Sequence, residues 1–284
     1  MSTRINASEL SDIICQALSK VHEKKPLIDC ITNFVTVNDC ANIILAAGAS
    51  PSMAEDIREV AETAAGSAAL VCNLGAINRV DEMIIGSKSA MAAGNPIVLD
   101  PVAAGDTSLR RRESAMLLEN ISFSVIRGNA SEIKALAHNT ASGSGVDVSA
   151  ADAISEDTLP EAIKTARLLA EKTAAVIAVS GPIDIITDGT QTVLLRNGCS
   201  TMSRITGSGC MLTALIGAFC GAMHENIFEA AVSACAVMDI AGELADERRI
   251  KNGTGNASFR TDLIDAVFNM DKETIKSRLN GELI

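Results

Sequence analysis

A glycine-rich turn followed by an apolar helix is the part of this sequence whose residue types could do chemistry. It reads Arg-Ile-Thr-Gly-Ser-Gly-Cys-Met and covers residues 204–211. Gly207 and Gly209 carry no β-carbon, so backbone N–H groups around them can approach an anion, and the positive end of the helix dipole attracts the same anion. We expect a negatively charged group, such as a phosphate, to bind at this turn.

Cys210 stands at the start of that helix, where an acid or a base would meet the hydroxyl group of a substrate. A thiol accepts a proton at neutral pH only if its pKa falls from about 8.5, which the N-terminus of a helix can bring about. The turn is therefore a candidate catalytic site as well as a candidate binding site.

Acidic and basic side chains follow two further apolar runs. Asp100 comes after the run Ile-Val-Leu, and a carboxylate in that position suits Mg²⁺ or a metal-bound triphosphate. Arg127 follows another apolar run and can contact a phosphate. Asn129 and Glu132 come next, and two interpretations of them stay open: they form a capping box for the following helix, or they organise hydrated Mg²⁺.

Several other kinds of site are excluded by the sequence. It contains neither Gly-x-x-x-x-Gly-Lys-Ser/Thr nor Gly-x-Gly-x-x-Gly after its first predicted strand, so neither a P-loop nor a dinucleotide-binding unit is expected. The three histidines stand far from every glycine motif, which argues against a zinc site and a Ser-His-Asp triad. The eight cysteines form no Cys-x-x-Cys pair, which favours reduced core thiols.

Composition and charge narrow the possible partners. The chain has 284 residues with no Trp, no Tyr and six Phe, so it lacks the aromatic platforms on which single-stranded nucleic acid stacks. Its formal net charge of −11 repels nucleic acid and anionic membrane surfaces. It has no apolar run of the roughly 18 residues needed to span a membrane. We therefore expect a soluble, cytoplasmic protein that binds neither nucleic acid nor membranes.

The elements that must position these residues alternate along the chain. Short apolar runs alternate with amphipathic segments, which predicts a mainly parallel central sheet with helices on both faces. After Ser180 an antiparallel hairpin closes on Asp188-Gly189, so the sheet should end in an antiparallel edge. No linker divides the chain, and residues 1–284 are predicted to form one α/β domain with a long loop at 138–155. The predicted strands are residues 27–31, 69–74, 96–99, 123–126, 175–179, 182–187 and 192–195, and the predicted C-terminal helices are residues 211–223, 227–245 and 259–270.

In an open α/β sheet, ligands bind beyond the carboxyl ends of the strands. Polar residues follow five of the predicted strands, and each of them alone is explained by an ordinary turn or helix cap. Together with the glycine-rich turn they converge on one edge of the sheet, where we expect the site. These residues are Thr32, Asn33, Asn73, Gly75, Asp100, Arg127, Gly128, Asn129, Ser180 and Gly181.

Six ordered motifs run along nearly the whole chain. They are Cys-Ile-Thr-Asn-Phe-Val-Thr from residue 30, Ala-Gly-Ala-Ser-Pro-Ser-Met from residue 47, Leu-Asp-Pro-Val from residue 99, Arg-Gly-Asn-Ala-Ser-Glu-Ile from residue 127, Ser-Gly from residue 180 and Thr-Gly-Ser-Gly-Cys from residue 206. In this order they resemble the hydroxyethylthiazole kinase family of the ribokinase-like superfamily. The resemblance implies a ribokinase-like fold and ATP-dependent phosphorylation of 4-methyl-5-(2-hydroxyethyl)thiazole, with Mg²⁺, in thiamine biosynthesis or salvage. It also implies a homotrimer whose sites lie between subunits.

The glycine-rich turn and the resemblance together assign roles to individual residues. A methionine suits the thiazole pocket, because its soft, flexible thioether packs well on a sulfur-containing ring. The assigned residues are Met53, Gly207, Asn33 and Val35 for the thiazole, Arg127, Ser180, Thr206 and Gly209 for ATP, Asp100, Glu132 and Asn129 for Mg²⁺, and Cys210 for catalysis.

Two alternative functions stay open. A kinase for another vitamin-precursor alcohol, such as hydroxymethylpyrimidine, would share the fold, although Met53 and Cys210 favour the thiazole. A non-catalytic nucleotide-binding regulator would not need the carboxylates Asp100 and Glu132. If the protein is a kinase, phosphoryl transfer depends mostly on positioning and charge stabilisation. The hypothesis is therefore that Cys210→Asp keeps substantial activity and that Cys210→Ala loses only part of it.

Overall fold

The computed structural model of the protein describes residues 7–138 and 154–284. Within these ranges nine strands form one sheet. The loop predicted over residues 138–155 lies almost entirely outside the described residues. The strands are β1 (Leu27–Ile31), β2 (Ser50–Ser52), β3 (Ala69–Asn73), β4 (Ile97–Asp100), β5 (Val125–Asn129), β6 (Val176–Ser180), β7 (Asp184–Thr187), β8 (Thr192–Leu195) and β9 (Gly281–Leu283).

The strand order in the sheet is β2-β1-β3-β4-β5-β6-β7-β8-β9. The first six strands in this order run parallel, and the last three are added in antiparallel pairs. The hairpin between β7 and β8 closes at the predicted turn, where Gly189 has a φ of +95° and Asp188 Oδ1 accepts a hydrogen bond from Gln191 N at 2.9 Å. The predicted mainly parallel sheet with an antiparallel edge is confirmed.

Helices cover both faces of the sheet. They are α1 (Ala7–Lys24), α2 (Val37–Ala46), α3 (Val60–Gly66), α4 (Val80–Ala93), α5 (Ser108–Asn120), α6 (Ala130–His138), α7 (Leu159–Thr173), α8 (Ser208–Ala222), α9 (Ile227–Asn252), α10 (Asn256–Phe268) and α11 (Lys272–Arg278). Because side chains alternate along a strand, Ile28 and Val71 pack with α1, α2 and α8–α11 on one face, whereas Leu70 and Ile97 pack with α3–α7 on the other.

Helix α8 lies unusually close to the sheet. A β-carbon on Gly217 would approach Val71 Cγ2 of β3 to 2.6 Å, so glycine is required where the helix crosses the strand. Residues 211–222 of α8 are all buried, and the partly exposed residues are at its N-terminus. The close packing therefore fixes the N-terminal end of α8 relative to the strands beneath it.

Two strands and the ends of several others differ from the sequence-based expectation. β2 and β9 were not predicted, because each has three residues and their sequences Ser-Pro-Ser and Gly-Glu-Leu carry no apolar alternation. The strands β4, β5 and β6 extend beyond their predicted ends. Asp100, Asn129 and Ser180 are thus the last residues of strands and do not follow them.

No helix within the described ranges is both long and apolar enough to cross a membrane. All eight cysteines stand in these ranges and are free thiols, as the absence of Cys-x-x-Cys pairs predicted.

Candidate active site

The carboxyl ends of the parallel strands meet at one edge of the sheet. Asn73 pairs in register with Asp100 at the ends of β3 and β4, and Asn129 pairs with Ser180 at the ends of β5 and β6. Helix α8 begins against the same edge, because Thr213 Oγ1 in its second turn donates a hydrogen bond to Asp100 Oδ2 at 2.9 Å. The polar strand ends and the start of α8 are therefore brought together, as the sequence predicted.

The glycine-rich turn adopts a conformation that requires glycine at Gly207. This residue has a φ of +84°, in the left-handed region, and a β-carbon on it would lie 2.6 Å from Thr36 Cγ2. Helix α8 starts directly after it at Ser208. The first N–H groups of a helix have no intrahelical acceptor, so this turn offers donors to a ligand at the sheet edge. Thr206, on the other side of Gly207, is exposed.

Arg127 is a buried cation at this edge. Its Nη1 lies 3.9 Å from Asp100 Oδ2, and its Nη2 donates a hydrogen bond to Ser180 Oγ at 2.5 Å. The guanidinium packs so closely on Gly209 that a β-carbon there would overlap it. Its Nε has no hydrogen-bond partner among the described residues. The positive charge thus lies beside the N-terminus of α8, where charge and helix dipole would act on the same anion.

Asn129 and Glu132 form the capping box that one of the two interpretations predicted. Asn129 Oδ1 accepts a hydrogen bond from Glu132 N at 2.9 Å, and Glu132 Oε2 accepts one from Asn129 N at 2.8 Å. Glu132 Oε1 accepts a further bond from Ala103 N at 2.8 Å. Burial, and then the nearby charge of Asp100, raise the pKa of Glu132 to about 7.

A divalent cation fits the paired carboxyl groups of Asp100 and Glu132. Both carboxyl groups are buried, which raises the pKa of each, and the charge of Asp100 raises the pKa of Glu132 further. A positive ion would stabilise the two buried negative charges. No group of three or more His, Cys, Asp or Glu side chains that could hold a metal is found in the part of the chain that the structure describes. Mg²⁺ needs only one or two protein carboxylates and fills its remaining positions with water and phosphate oxygens.

Cys210 accepts two hydrogen bonds from side-chain amides. Asn73 Nδ2 lies 3.2 Å and Asn33 Nδ2 3.5 Å from the Cys210 sulfur. Burial, and then the negative charge of Asp100, raise the pKa of the thiol above its usual value. The ligand-free protein thus lacks the lowered pKa that a base at Cys210 requires, because lost hydration and a nearby carboxylate raise the pKa of the thiol. The thiol is protonated at neutral pH in this state.

The other residues predicted for the thiazole lie towards the β2 side of the edge. Asn33 Oδ1 accepts hydrogen bonds from Val35 N at 3.1 Å and Thr36 N at 3.2 Å, which fixes the turn into α2. Val35 is 57% exposed. Met53 directly follows β2 and is half-buried against the core on the α8 face. The structure thus joins Asn33 to both the Cys210 thiol and the backbone of Val35.

Two residues of this hydrogen-bond network had no role in the sequence analysis. Asn73 stood among the polar strand ends, but nothing in its local sequence indicated that its amide contacts both Asp100 and Cys210. Thr213 is fully buried in α8, and its hydroxyl also bonds Asp100. The signal that could have found Thr213 is a lone hydroxyl in an otherwise apolar helix, one turn after Gly209.

The sheet order and the glycine-rich turn that opens α8 at the strand ends define a protein of the ribokinase-like fold. The pyridoxal kinase of Staphylococcus aureus in complex with ADP shares this fold, with a TM-score of 0.56 at 15% identity over 78% of this chain and 88% of that one. The chain belongs to the hydroxyethylthiazole kinase family, whose sequence model matches residues 18–273.

Two relatives match over nearly their whole length. A hydroxyethylthiazole kinase of Ruminiclostridium cellulolyticum is 46% identical over 277 residues, which cover 96% of this chain and 99% of the relative. The structure of the hydroxyethylthiazole kinase protein from Pyrococcus horikoshii OT3 superposes with a TM-score of 0.84 at 33% identity, covering 96% of this chain and 99% of that one. The family resemblance and the ribokinase-like fold expected from the sequence are both confirmed.

Proposed function

We propose that this protein transfers the γ-phosphoryl group of ATP to the hydroxyl group of 4-methyl-5-(2-hydroxyethyl)thiazole, in thiamine biosynthesis or salvage. The family supports this substrate, because relatives that match over nearly their whole length are named hydroxyethylthiazole kinase. The single observation that carries the proposal is the meeting of Arg127, Ser180 and the start of α8 at one edge of the sheet.

The phosphate side of the proposed site consists of backbone donors and one guanidinium. The N–H groups from Gly207 to Gly209 and the positive end of α8 would stabilise charge on the phosphoryl oxygens in the transition state. Arg127 adds a positive charge whose position is set by its hydrogen bond to Ser180. Ser180 supplies a hydroxyl group beside it, and Thr206, which precedes Gly207, would supply a second one to ATP. Charge stabilisation by fixed donors is the main catalytic effect that we expect here.

Asp100 and Glu132 would hold Mg²⁺ on the same side, with Asn129 orienting Glu132. When bound with ATP, Mg²⁺ would neutralise negative charge on the phosphate oxygens. The carboxylates are oriented before any ligand binds, since Asn73 and Thr213 each donate to Asp100 Oδ2 at 2.9 Å. Oriented carboxylates need little rearrangement during the reaction.

On the acceptor side, the substrate hydroxyl would lie beside Cys210 and Asn33, with Val35 and Met53 against the thiazole ring. Because burial raises the pKa of the Cys210 thiol, which keeps it protonated, we propose that Cys210 orients the hydroxyl and does not act as the general base. This role agrees with the small contribution that a base makes to phosphoryl transfer.

We further propose a homotrimer in which a neighbouring subunit completes the thiazole pocket. Phe34 and Val35 follow Asn33 directly and are 91% and 57% exposed, and large apolar side chains exposed together beside a site favour an interface there. Phe34→Asp should dissociate the trimer, which would lower the measured mass of the native particle, and should weaken thiazole binding. Phe268→Asp is the matched control, because Phe268 is also exposed but ends α10. A monomeric wild type with full activity would contradict the shared site.

The proposed activity is tested by measuring ADP formation with the thiazole, with hydroxymethylpyrimidine and without an alcohol. We expect alcohol-dependent turnover with a higher kcat/KM for the thiazole. ATP binding without ADP formation in all three cases would favour a regulator, and a preference for the pyrimidine would favour the other kinase.

A pair of arginine variants tests the phosphate side. Arg127→Lys keeps the positive charge beside Asp100 but loses the planar fork of donors, so we expect the KM for ATP to rise and kcat to fall. Arg167→Lys is the matched control, because Arg167 bonds Thr192 Oγ1 at 2.8 Å, away from the carboxyl edge. Equal kinetics in the two variants would contradict the assigned role of Arg127.

A further inference from the structure

The side-chain amide of Asn73 uses all of its hydrogen-bonding positions inside the candidate site. Its Nδ2 donates to Asp100 Oδ2 at 2.9 Å and to Cys210 Sγ at 3.2 Å. Its Oδ1 accepts from Gly75 N at 2.9 Å and from Asn33 Nδ2 at 3.2 Å. Asn73 is 1% exposed, so water does not compete for these positions.

The orientation of this amide is set by its neighbours. Gly75 N can only donate and Asp100 is a carboxyl group, so the oxygen of Asn73 must face Gly75 and its nitrogen must face Asp100. The same nitrogen then faces the Cys210 sulfur. One planar group therefore fixes the distance between a carboxyl group on the phosphate side and a thiol on the acceptor side.

We propose that Asn73 is a positioning residue for phosphoryl transfer. Its single amide nitrogen holds the Cys210 thiol and the Asp100 carboxyl group at a fixed distance from each other. This inference rests on the proposed kinase function. The Asp100 carboxyl group and the Cys210 thiol do not depend equally on Asn73. Asp100 Oδ2 keeps a second donor in Thr213 Oγ1 at 2.9 Å, whereas the Cys210 sulfur keeps the longer contact of 3.5 Å to Asn33 Nδ2 and an interaction with the Thr36 hydroxyl.

This asymmetry predicts which kinetic constant changes. In Asn73→Ala the acceptor side loses its shorter hydrogen bond, so kcat should fall by roughly 3- to 10-fold, the usual effect of losing one neutral hydrogen bond. This loss should not exceed the loss expected when the Cys210 thiol itself is removed. The KM for ATP should change by less than about 3-fold, because that side keeps Thr213 and Arg127. Asn73→Leu keeps the volume of the side chain without its polar atoms and should behave in the same way, which guards against a folding defect in the alanine variant.

The matched control is Ser87→Ala. Ser87 is buried in α4 and its hydroxyl lies 3.5 Å from the sulfur of Cys72, the residue before Asn73. This variant also loses a buried polar contact to β3 but touches none of the site residues. Its kcat should equal that of the wild type. A loss of kcat in Ser87→Ala as large as in Asn73→Ala would show that general loosening of β3 explains the effect, and would overturn the proposal.

A second measurement does not depend on kinase activity. The ligand-free proteins are treated with iodoacetamide at one pH, and the modification rate of the peptide that contains Cys210 is followed by mass spectrometry. An N–H donor to sulfur favours the reactive thiolate, so losing the Asn73 bond should slow alkylation of Cys210 by roughly 3- to 10-fold. Loss of packing alone would instead expose the thiol and speed its alkylation. Unchanged or faster alkylation in both Asn73 variants would overturn the proposal.

A double-mutant cycle tests whether Asn73 affects turnover through the Cys210 thiol. If Asn73 acts through the thiol, the kcat loss of Asn73→Ala should shrink by at least about 3-fold in a Cys210→Ala background. Independent effects that multiply within about 2-fold would overturn the proposal. A wild type without thiazole kinase activity would refute the proposed function instead, and the alkylation rates would still decide whether Asn73 holds the thiol.

Discussion

Gly209→Ala should damage nucleotide binding while leaving the fold intact. Gly209 is the second residue of α8 and has no positive φ, so alanine fits its backbone. Alanine also favours helix over glycine by about 1 kcal/mol in a helix interior, and by less near an end. The new β-carbon, however, would overlap Nη1 of Arg127 and would lie 3.1 Å from Nη2 and 3.2 Å from Cζ. The guanidinium must therefore move.

The size of the effect follows from what the guanidinium loses. Carbon and nitrogen atoms pack at roughly 3.5 Å or more, so the overlap requires a displacement on the order of 1 Å. A shift of that size breaks the 2.5 Å hydrogen bond from Nη2 to Ser180 Oγ and lengthens the 3.9 Å approach of Nη1 to Asp100. A hydrogen bond from a charged group contributes about 1.5–3 kcal/mol, so kcat/KM for ATP should fall by roughly 10- to 100-fold.

The assay is ATP titration of thiazole phosphorylation together with thermal unfolding of the ligand-free protein. Gly66→Ala is the matched control: Gly66 ends α3, and a β-carbon on it would meet nothing within 4 Å. We expect the Gly209 and Gly66 variants to unfold within a few degrees of the wild type, and kcat/KM for ATP to fall only in Gly209→Ala. Unchanged ATP kinetics in a folded Gly209→Ala protein would refute the assignment of Arg127 to the phosphate side.

Substitutions at three further positions test other parts of the structure. Gly207→Ala should lower both stability and kcat, because φ of +84° disfavours a β-carbon and Thr36 blocks it, and unfolding and turnover measured together would check this. Turnover measurements should show that Cys210→Ala keeps more than about a tenth of the wild-type kcat and that Cys210→Asp keeps substantial activity. If Cys210 were an essential base, its removal would instead lower kcat by roughly 100-fold or more. Burial raises the pKa of Asp184 to about 6 and that of its neighbour Asp239 well above the usual value, so wild-type stability should fall as pH rises from about 4 through 6 and beyond. Urea unfolding at pH 5 and pH 8 should show a smaller loss of unfolding free energy in Asp239→Asn than in the wild type.

The sequence predicted the large elements because their apolar residues recur with a clear period. β1 and β8 have the predicted bounds, α9 contains the apolar helix predicted over residues 227–245, and α8 covers all but the last residue of the one predicted over residues 211–223. β2 and β9 were not predicted. Each consists of three polar or mixed residues that pair with a neighbouring strand through backbone hydrogen bonds, which do not depend on the residue type. Tertiary pairing, not local preference, makes these segments strands.

The sequence predicted those parts of the candidate site that lie at strand ends or in the glycine-rich turn. Arg127 and Ser180 were both placed at the edge from their positions after apolar runs, and the structure joins them by a hydrogen bond. The protonation of Cys210 was not predictable, because its pKa depends on burial and on Asp100, which stands 110 residues earlier in the chain. The position of Cys210 at a helix end therefore could not by itself indicate the direction of this pKa shift.

The charges around Arg127 show that this edge is not arranged for stability alone. Its guanidinium lies near the buried carboxyl groups of Asp100, Glu132 and Asp184, and burial raises the pKa of all three. Taking charges out of water is unfavourable unless they are fully paired, and apolar residues of the same size would often stabilise a fold more. A single guanidinium cannot pair three carboxylates. A divalent cation at this edge would offset the excess of negative charge, so these buried carboxyl groups support the proposed phosphoryl-transfer site.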